Sequence, residues 1–166
     1  MPKVCRTSDE FGSCAFCFIN QSDSPPTRIL RGLRFNMDPK MKSRFLSLYQ
    51  MVLADGIIDA AEIETLHRIG RESYGILPDQ ISEVIRDADF SISLPTTLEE
   101  SVTLLYQLAE IAWADGNIDN SEIELLKRHV VDMGFEAGNS DEIAKFILEQ
   151  VKNGKSLGEV LNMINQ

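Results

Sequence analysis

Two decapeptides, "ADGIIDAAEI" (Ala54–Ile63) and "ADGNIDNSEI" (Ala114–Ile123), each set three carboxylates around one glycine. Asp55, Asp59 and Glu62 form the first set, and Asp115, Asp119 and Glu122 the second. Carboxylates at this spacing are the second half of a calcium-binding loop, which needs oxygen ligands at positions 1, 3, 5 and 12 and glycine at 6. With Gly56 at position 6, the aspartates fall at 5 and 9 and Glu62 at 12. Positions 1 and 3 are then Met51 and Leu53, and in the second copy Ile111 and Trp113. None of these side chains ligates a hard cation, so neither copy is an ordinary EF-hand.

The same residues do structural work. Asp59 and Asp119 read as helix N-caps, with Glu62 and Glu122 three residues later as their capping-box partners. One such cap contributes about 1 kcal/mol. Gly56 and Gly116 suit the left-handed conformation that stops a helix, and Ile58 and Ile118 read as plugs beneath the turns. Asp55 and Asp115 fit less easily, because a carboxylate at a helix C-terminus opposes the macrodipole. Each either accepts its own loop's N–H two residues on or adds charge for a divalent cation shared with Asp59 and Glu62, or with Asp119 and Glu122. Symmetry of the repeat would bring the two turns together into one strongly acidic patch. Caps and turns are the stronger reading; a calcium- or magnesium-type ion is the weaker one, and no other cofactor is indicated.

The elements that must position these turns are helical. Asp38 caps and Pro39 opens a first helix through Met41, Phe45, Leu48 and Val52. A second spans Ala60 to about Tyr74, with Ile63, Leu66 and Ile69 inward and Gly75 ending it. A short third covers 78–88. Thr97 and Glu100 predict a capping box for a long apolar helix through Val102, Leu105, Leu108, Ala112 and Trp113. Further helices cover about 120–133, 141–152 and 157–165, the last boxed by Ser156 and Glu159. At an offset of sixty, Phe45, Leu48, Asp55, Gly56, Ile58, Asp59, Glu62 and Leu66 meet Leu105, Leu108, Asp115, Gly116, Ile118, Asp119, Glu122 and Leu126. The pattern predicts an all-α bundle of about seven helices built on two αα-hairpins related by an approximate two-fold axis.

Charge narrows the function classes. Residues 1–36 carry a net charge of +2 and residues 37–166 carry −12. So acidic a domain repels nucleic acid and attracts cations and basic protein surfaces. No apolar run is long enough to enter a bilayer as a spanning helix, and no export signal is read in "FGSCAFCFI", which makes the expected compartment the cytoplasm. All three cysteines, Cys5, Cys14 and Cys17, lie before residue 37. Cys14-x-x-Cys17 with Cys5 is a weak zinc signal that lacks a fourth ligand, and an incidental tail is the stronger reading. Composition, charge and periodicity change together at Met37, so residues 1–36 are expected to be a disordered tail, an upstream extension of a reading frame that starts at Met37. Residues 37–166 form the domain. His67 and His129 do not correspond in the repeat and are placed on helix flanks, and no serine or cysteine nucleophile has an identifiable partner.

The doubled A-D-G-x-I-D-x-x-E-I on an acidic helical chain resembles the TerB-like family, over about residues 38–166. That family includes tellurite-resistance-associated bacterial proteins and the N-terminal regions of membrane-anchored DnaJ-type co-chaperones. The resemblance implies a compact helical bundle, a bacterial source, no established catalysis, and a divalent-metal-linked acidic site at Asp55, Asp59, Glu62, Asp115, Asp119 and Glu122. The chain has neither a J-domain nor a membrane segment. The expectation is a non-enzymatic module that docks on protein partners in a stress-response or envelope-associated assembly. The alternative is a divalent-cation sensor or buffer, and a metal-dependent enzyme ranks last.

Overall fold

In the computed structural model, residues 37–86 and 93–165 are described, and among them every regular element is helical. The cysteines and the expected tail lie outside the described residues. α1 (Pro39–Val52) and α2 (Ala60–Tyr74) form the first hairpin, followed by α3 (Pro78–Arg86). α4 (Leu98–Ala112) and α5 (Asn120–Asp132) form the second, and α6 (Ser140–Lys152) and α7 (Leu157–Ile164) close the bundle. A 3-10 turn over Ala137–Asn139, which no periodic signal marks, leads into α6.

The predicted boundaries follow from local chemistry. Asp38 accepts the Lys40 N–H, and Pro39 occupies the first turn, where its missing donor has no partner to lose. Gly75 ends α2 in the left-handed region. Ser156 and Glu159 close a full capping box on α7. The Thr97–Glu100 box is only half made. Thr97 accepts the Glu100 N–H, but the Glu100 carboxylate turns to the Thr96 N–H at 2.9 Å and to the Arg44 guanidinium at 2.8 Å. These partners hold its pKa low, at about 2. The expected continuation of α3 through 87–88 lies outside the described residues.

α4 is the centre of the core, packing on α1, α2, α5, α6 and α7. It is buried almost all round, which matches its continuous apolar sequence. Phe45, Leu48, Leu66, Ile69, Leu105, Leu108, Ile111 and Leu126 are fully enclosed, so the repeated apolar positions of both hairpins meet in one core. Gly70 lies mid-helix, where glycine costs about 1 kcal/mol relative to alanine. A Cβ there would stand 3.1 Å from Phe45 Cε2, so the glycine lets α2 approach the Phe45 ring. That ring meets Tyr74 edge-on, with centroids 5.8 Å apart.

Two expectations are corrected by the packing. Ile58 is not a plug: it is 61% exposed, with no described residue covering it, whereas Ile118 packs against the core. His129 is not on a flank but buried, and burial pushes its pKa down.

Candidate functional site

The two acidic turns are built by the same hydrogen bonds. α1 stops at Val52 and α4 at Ala112, so Asp55 and Asp115 lie three residues past a helix end rather than in its last turn. Gly56 and Gly116 take φ of +80° and +84°, and their N–H groups donate to Leu53 O and Trp113 O. Only glycine takes this backbone without strain. Asp55 Oδ1 accepts the Ile57 N–H at 2.8 Å, and Asp115 Oδ1 accepts the Asn117 N–H at 2.8 Å. These are Asx-turns. The opposition to the helix dipole inferred from sequence is therefore relieved: the carboxylates stand in the turns, each satisfying a loop donor.

Asp59 and Asp119 are N-caps. Asp59 accepts the Ala61 N–H at 2.7 Å; Asp119 accepts both the Ser121 N–H at 2.8 Å and its hydroxyl at 2.6 Å. Those bonds hold the Asp119 pKa low. Glu122 completes the second box, its Oε2 accepting the Asp119 N–H at 2.8 Å. The box expected on α2 is not fully closed: Asp59 caps the Ala61 N–H, while the Asp59 amide only helps to hold the Glu62 pKa down.

The glutamates do something further that their spacing within each repeat does not show. Glu62 and Glu122 are 6% and 4% exposed, and their carboxyl groups meet across the two-fold axis, side chain to side chain. Burial raises both pKa values, and the charge of Asp55 adds to the effect on each; Asp115 adds to that on Glu62. Glu122 is pushed to about 7. Glu62 Oε2 and Glu122 Oε1 are buried without a hydrogen-bond donor from the protein. Two buried carboxylates in contact cannot both stay charged without compensation, so near neutrality the pair holds one proton between its oxygens or requires a cation.

Of the six predicted residues, then, Glu62 and Glu122 are brought into contact. Asp55 and Asp115 reach them through charge, and Asp59 and Asp119 are directed to backbone and hydroxyl donors. Among the described residues no three carboxyl, imidazole or thiol groups converge to hold one ion. The buried glutamate pair leaves one oxygen on each carboxyl without a partner, and the set of six does not close around one ion. The signal that would have found the pair is the repeat itself, since an approximate dyad through two hairpins brings equivalent positions together near the axis.

Comparison of the chain with family models, curated proteins and solved structures finds no match in any of the three.

Proposed function

We propose that this chain is a non-enzymatic, acidic helical binding module that docks on a protein partner. An apolar cleft of about 370 Å³ supports this reading most directly. It is lined by Leu98, Phe135, Ile143, Phe146 and Ile164, with Glu142 and Asn139 as its polar residues. Leu98 is 49% exposed there, which is costly surface to leave in water. A cleft of this kind accepts an apolar anchor from an amphipathic helix, and a domain of net charge −12 favours a basic one. The resemblance of the doubled turns to TerB-like proteins supports reading it as part of a bacterial stress-response or envelope-associated assembly, with tellurite resistance as one candidate setting. Among the described residues no helix is long and apolar enough to cross a membrane.

A photo-crosslinking amino acid at Leu98 tests the reading in the native cell. The expected result is a discrete protein adduct that disappears when Ile143→Lys is added. Crosslinking to no protein, or an adduct indifferent to Ile143→Lys, would refute docking at this cleft.

The buried oxygens of Glu62 and Glu122 favour a second reading, a divalent-cation sensor or buffer. Calorimetric titration with calcium, magnesium and manganese decides it. Heat lost in a Glu62→Gln/Glu122→Gln variant supports that reading. Absence of heat with every ion removes it and leaves the proton as the pair's occupant.

A further inference from the structure

The two-fold repeat relates the packing of α2 on α4 to the approach of α5 to α1, and the two are finished differently: α2 and α4 are in close contact, whereas α1 and α5 face each other across a cavity. Between α2 and α4 the polar residues are zipped. Gln107 Nε2 donates to Ser73 Oγ at 3.0 Å, the Tyr74 hydroxyl donates to Gln107 Oε1 at 2.9 Å, and Arg68 pairs with Glu110 at 2.9 Å. At the offset of sixty, Gln107 becomes Ser47, Glu110 becomes Gln50, Ser73 becomes Met133, and Arg68 becomes Arg128. The long acceptors are shortened or neutralised, but the arginine is kept. A cavity of about 160 Å³ remains between α1 and α5.

Its polar lining is rich in donors without acceptors. Arg44 is held at one terminal nitrogen by Glu100, while its buried Nε has no partner. His129 is 9% exposed, and its Nε2 has no partner. Arg128, at the mouth, makes no ion pair or hydrogen bond among the described residues, unlike Arg68. The Ser47 hydroxyl donates to Ser43 O at 3.4 Å. Among the described residues Asp132 is the one acid in the lining; Glu100 engages Arg44 at one terminal nitrogen only, which leaves the Arg44 Nε and the whole Arg128 guanidinium for a further acceptor. Leu104, Leu125 and Met133 supply an apolar wall.

We propose that this cavity binds a small monocarboxylate. Its carboxylate takes donors from Arg44, Arg128 and His129, and its short hydrocarbon body rests on the wall of Leu104, Leu125 and Met133. A guanidinium fork matches a carboxylate's two oxygens, and a neutral imidazole can present Nε2–H as a third donor. The volume is about five times the share of one water in the liquid, enough for an acid of two to four carbons. It does not fit a nucleotide. The ligand supplies the acceptor that Glu110 supplies between α2 and α4.

Acetate, propionate, butyrate and inorganic phosphate, titrated separately into the full chain and followed by the Arg Nε–H and histidine ring resonances in NMR spectra, test this. Saturable shifts of Arg44, Arg128 and His129 are expected, strongest with propionate or butyrate. Arg128 is exposed, so Arg128→Gln should fold normally, and it should weaken binding about tenfold, the loss expected for a charge-assisted hydrogen bond. Ser47→Leu, which fills the cavity without touching its charges, should abolish the shifts. No saturation with any acid would mean that water alone fills the space. Saturation by phosphate alone, or full affinity in Arg128→Gln, would also overturn the assignment.

Discussion

The two acidic turns share a backbone and differ in what covers the residue that opens each. Trp113, at the start of the second, donates from Nε1 to Leu148 O on α6 at 3.0 Å, and Lys152 lies over its ring at 5.1 Å. Its counterpart Leu53 is 41% exposed, beside Ile57 at 70% and Ile58 at 61%. The repeat therefore specifies the turn, whereas the environment of the residue that opens it is set by sequence outside the repeat: α6 covers Trp113 while Leu53 stands in water, and residues 55–57 and 115–117 are exposed alike. The identical Asx-turn distances show that a turn needs no cover to form. What the cover adds is tertiary stability.

The sharpest way to break this comparison is to remove the anchor. Trp113→Ala loses half-buried ring contacts, a hydrogen bond to a carbonyl that then lacks its partner, and a cation–π contact. It should cost about 3 kcal/mol in urea denaturation. Leu53→Ala removes a side chain that water already reaches and should cost less than about 1 kcal/mol. Equal losses would show that Leu53 is covered in solution.

The second test concerns what the two turns share. Folding raises the Glu62 and Glu122 pKa values above 4.5, so the folded chain binds the proton more tightly than the unfolded one. The stabilisation is complete below pH 4.5 and is lost as pH rises through about 7. Glu122→Gln keeps a neutral partner for Glu62 at every pH. At pH 8 this variant should exceed the native chain by about 2 kcal/mol, and the difference should shrink toward acid. Thermal unfolding across pH 4–8 measures it; a native profile no steeper than the variant's would show that a cation, not a proton, neutralises the pair.

Gly56→Ala and Gly116→Ala come next. Both force an L side chain into φ near +80°, and neither Cβ meets another atom within 4 Å. Each should cost about 1 kcal/mol, and the two costs should match, since the strain is local. A larger loss at Gly116 would mean that α6 also constrains the turn backbone.

How much of this was legible depended on the range of the interaction. The caps at Asp38, Asp59, Asp119 and Ser156 were readable because a cap and its amide are two or three residues apart. The hairpins and their common core were readable because apolar period and repeat offset are properties of the chain itself. The symmetry of the repeat predicted that the turns could come together as one acidic patch, but the Glu62–Glu122 contact itself was not read, because each glutamate already had a sufficient local role as a capping partner. Nothing in residues 54–63 says that the equivalent glutamate lies opposite. Ile58 failed for a related reason. An isoleucine after a turn glycine is buried only if the surrounding fold reaches it, and among the described residues only Ile118 is packed against the core. The cavity beside His129 was illegible too, since it arises where α1 and α5 fail to close, which neither helix encodes alone.

The smallest expected effect discriminates most finely between the turns. Asp55→Asn preserves a side-chain oxygen for the Ile57 N–H, so the Asx-turn survives and stability at acid pH should change by a few tenths of a kcal/mol. Removing the charge also relieves repulsion on the glutamates, because Asp55 raises both Glu62 and Glu122 while Asp115 raises Glu62. In Asp55→Asn the midpoint of the pH-dependent loss should therefore move to lower pH, and in Asp115→Asn it should move less. Carboxyl carbon shifts of the two glutamates, followed through a pH titration, would resolve the two midpoints. If both substitutions moved them equally, the buried pair would lie evenly between the turns. An unequal shift, with identical turn bonds in both copies, would locate the asymmetry at the pair itself, where the first turn has the greater electrostatic influence.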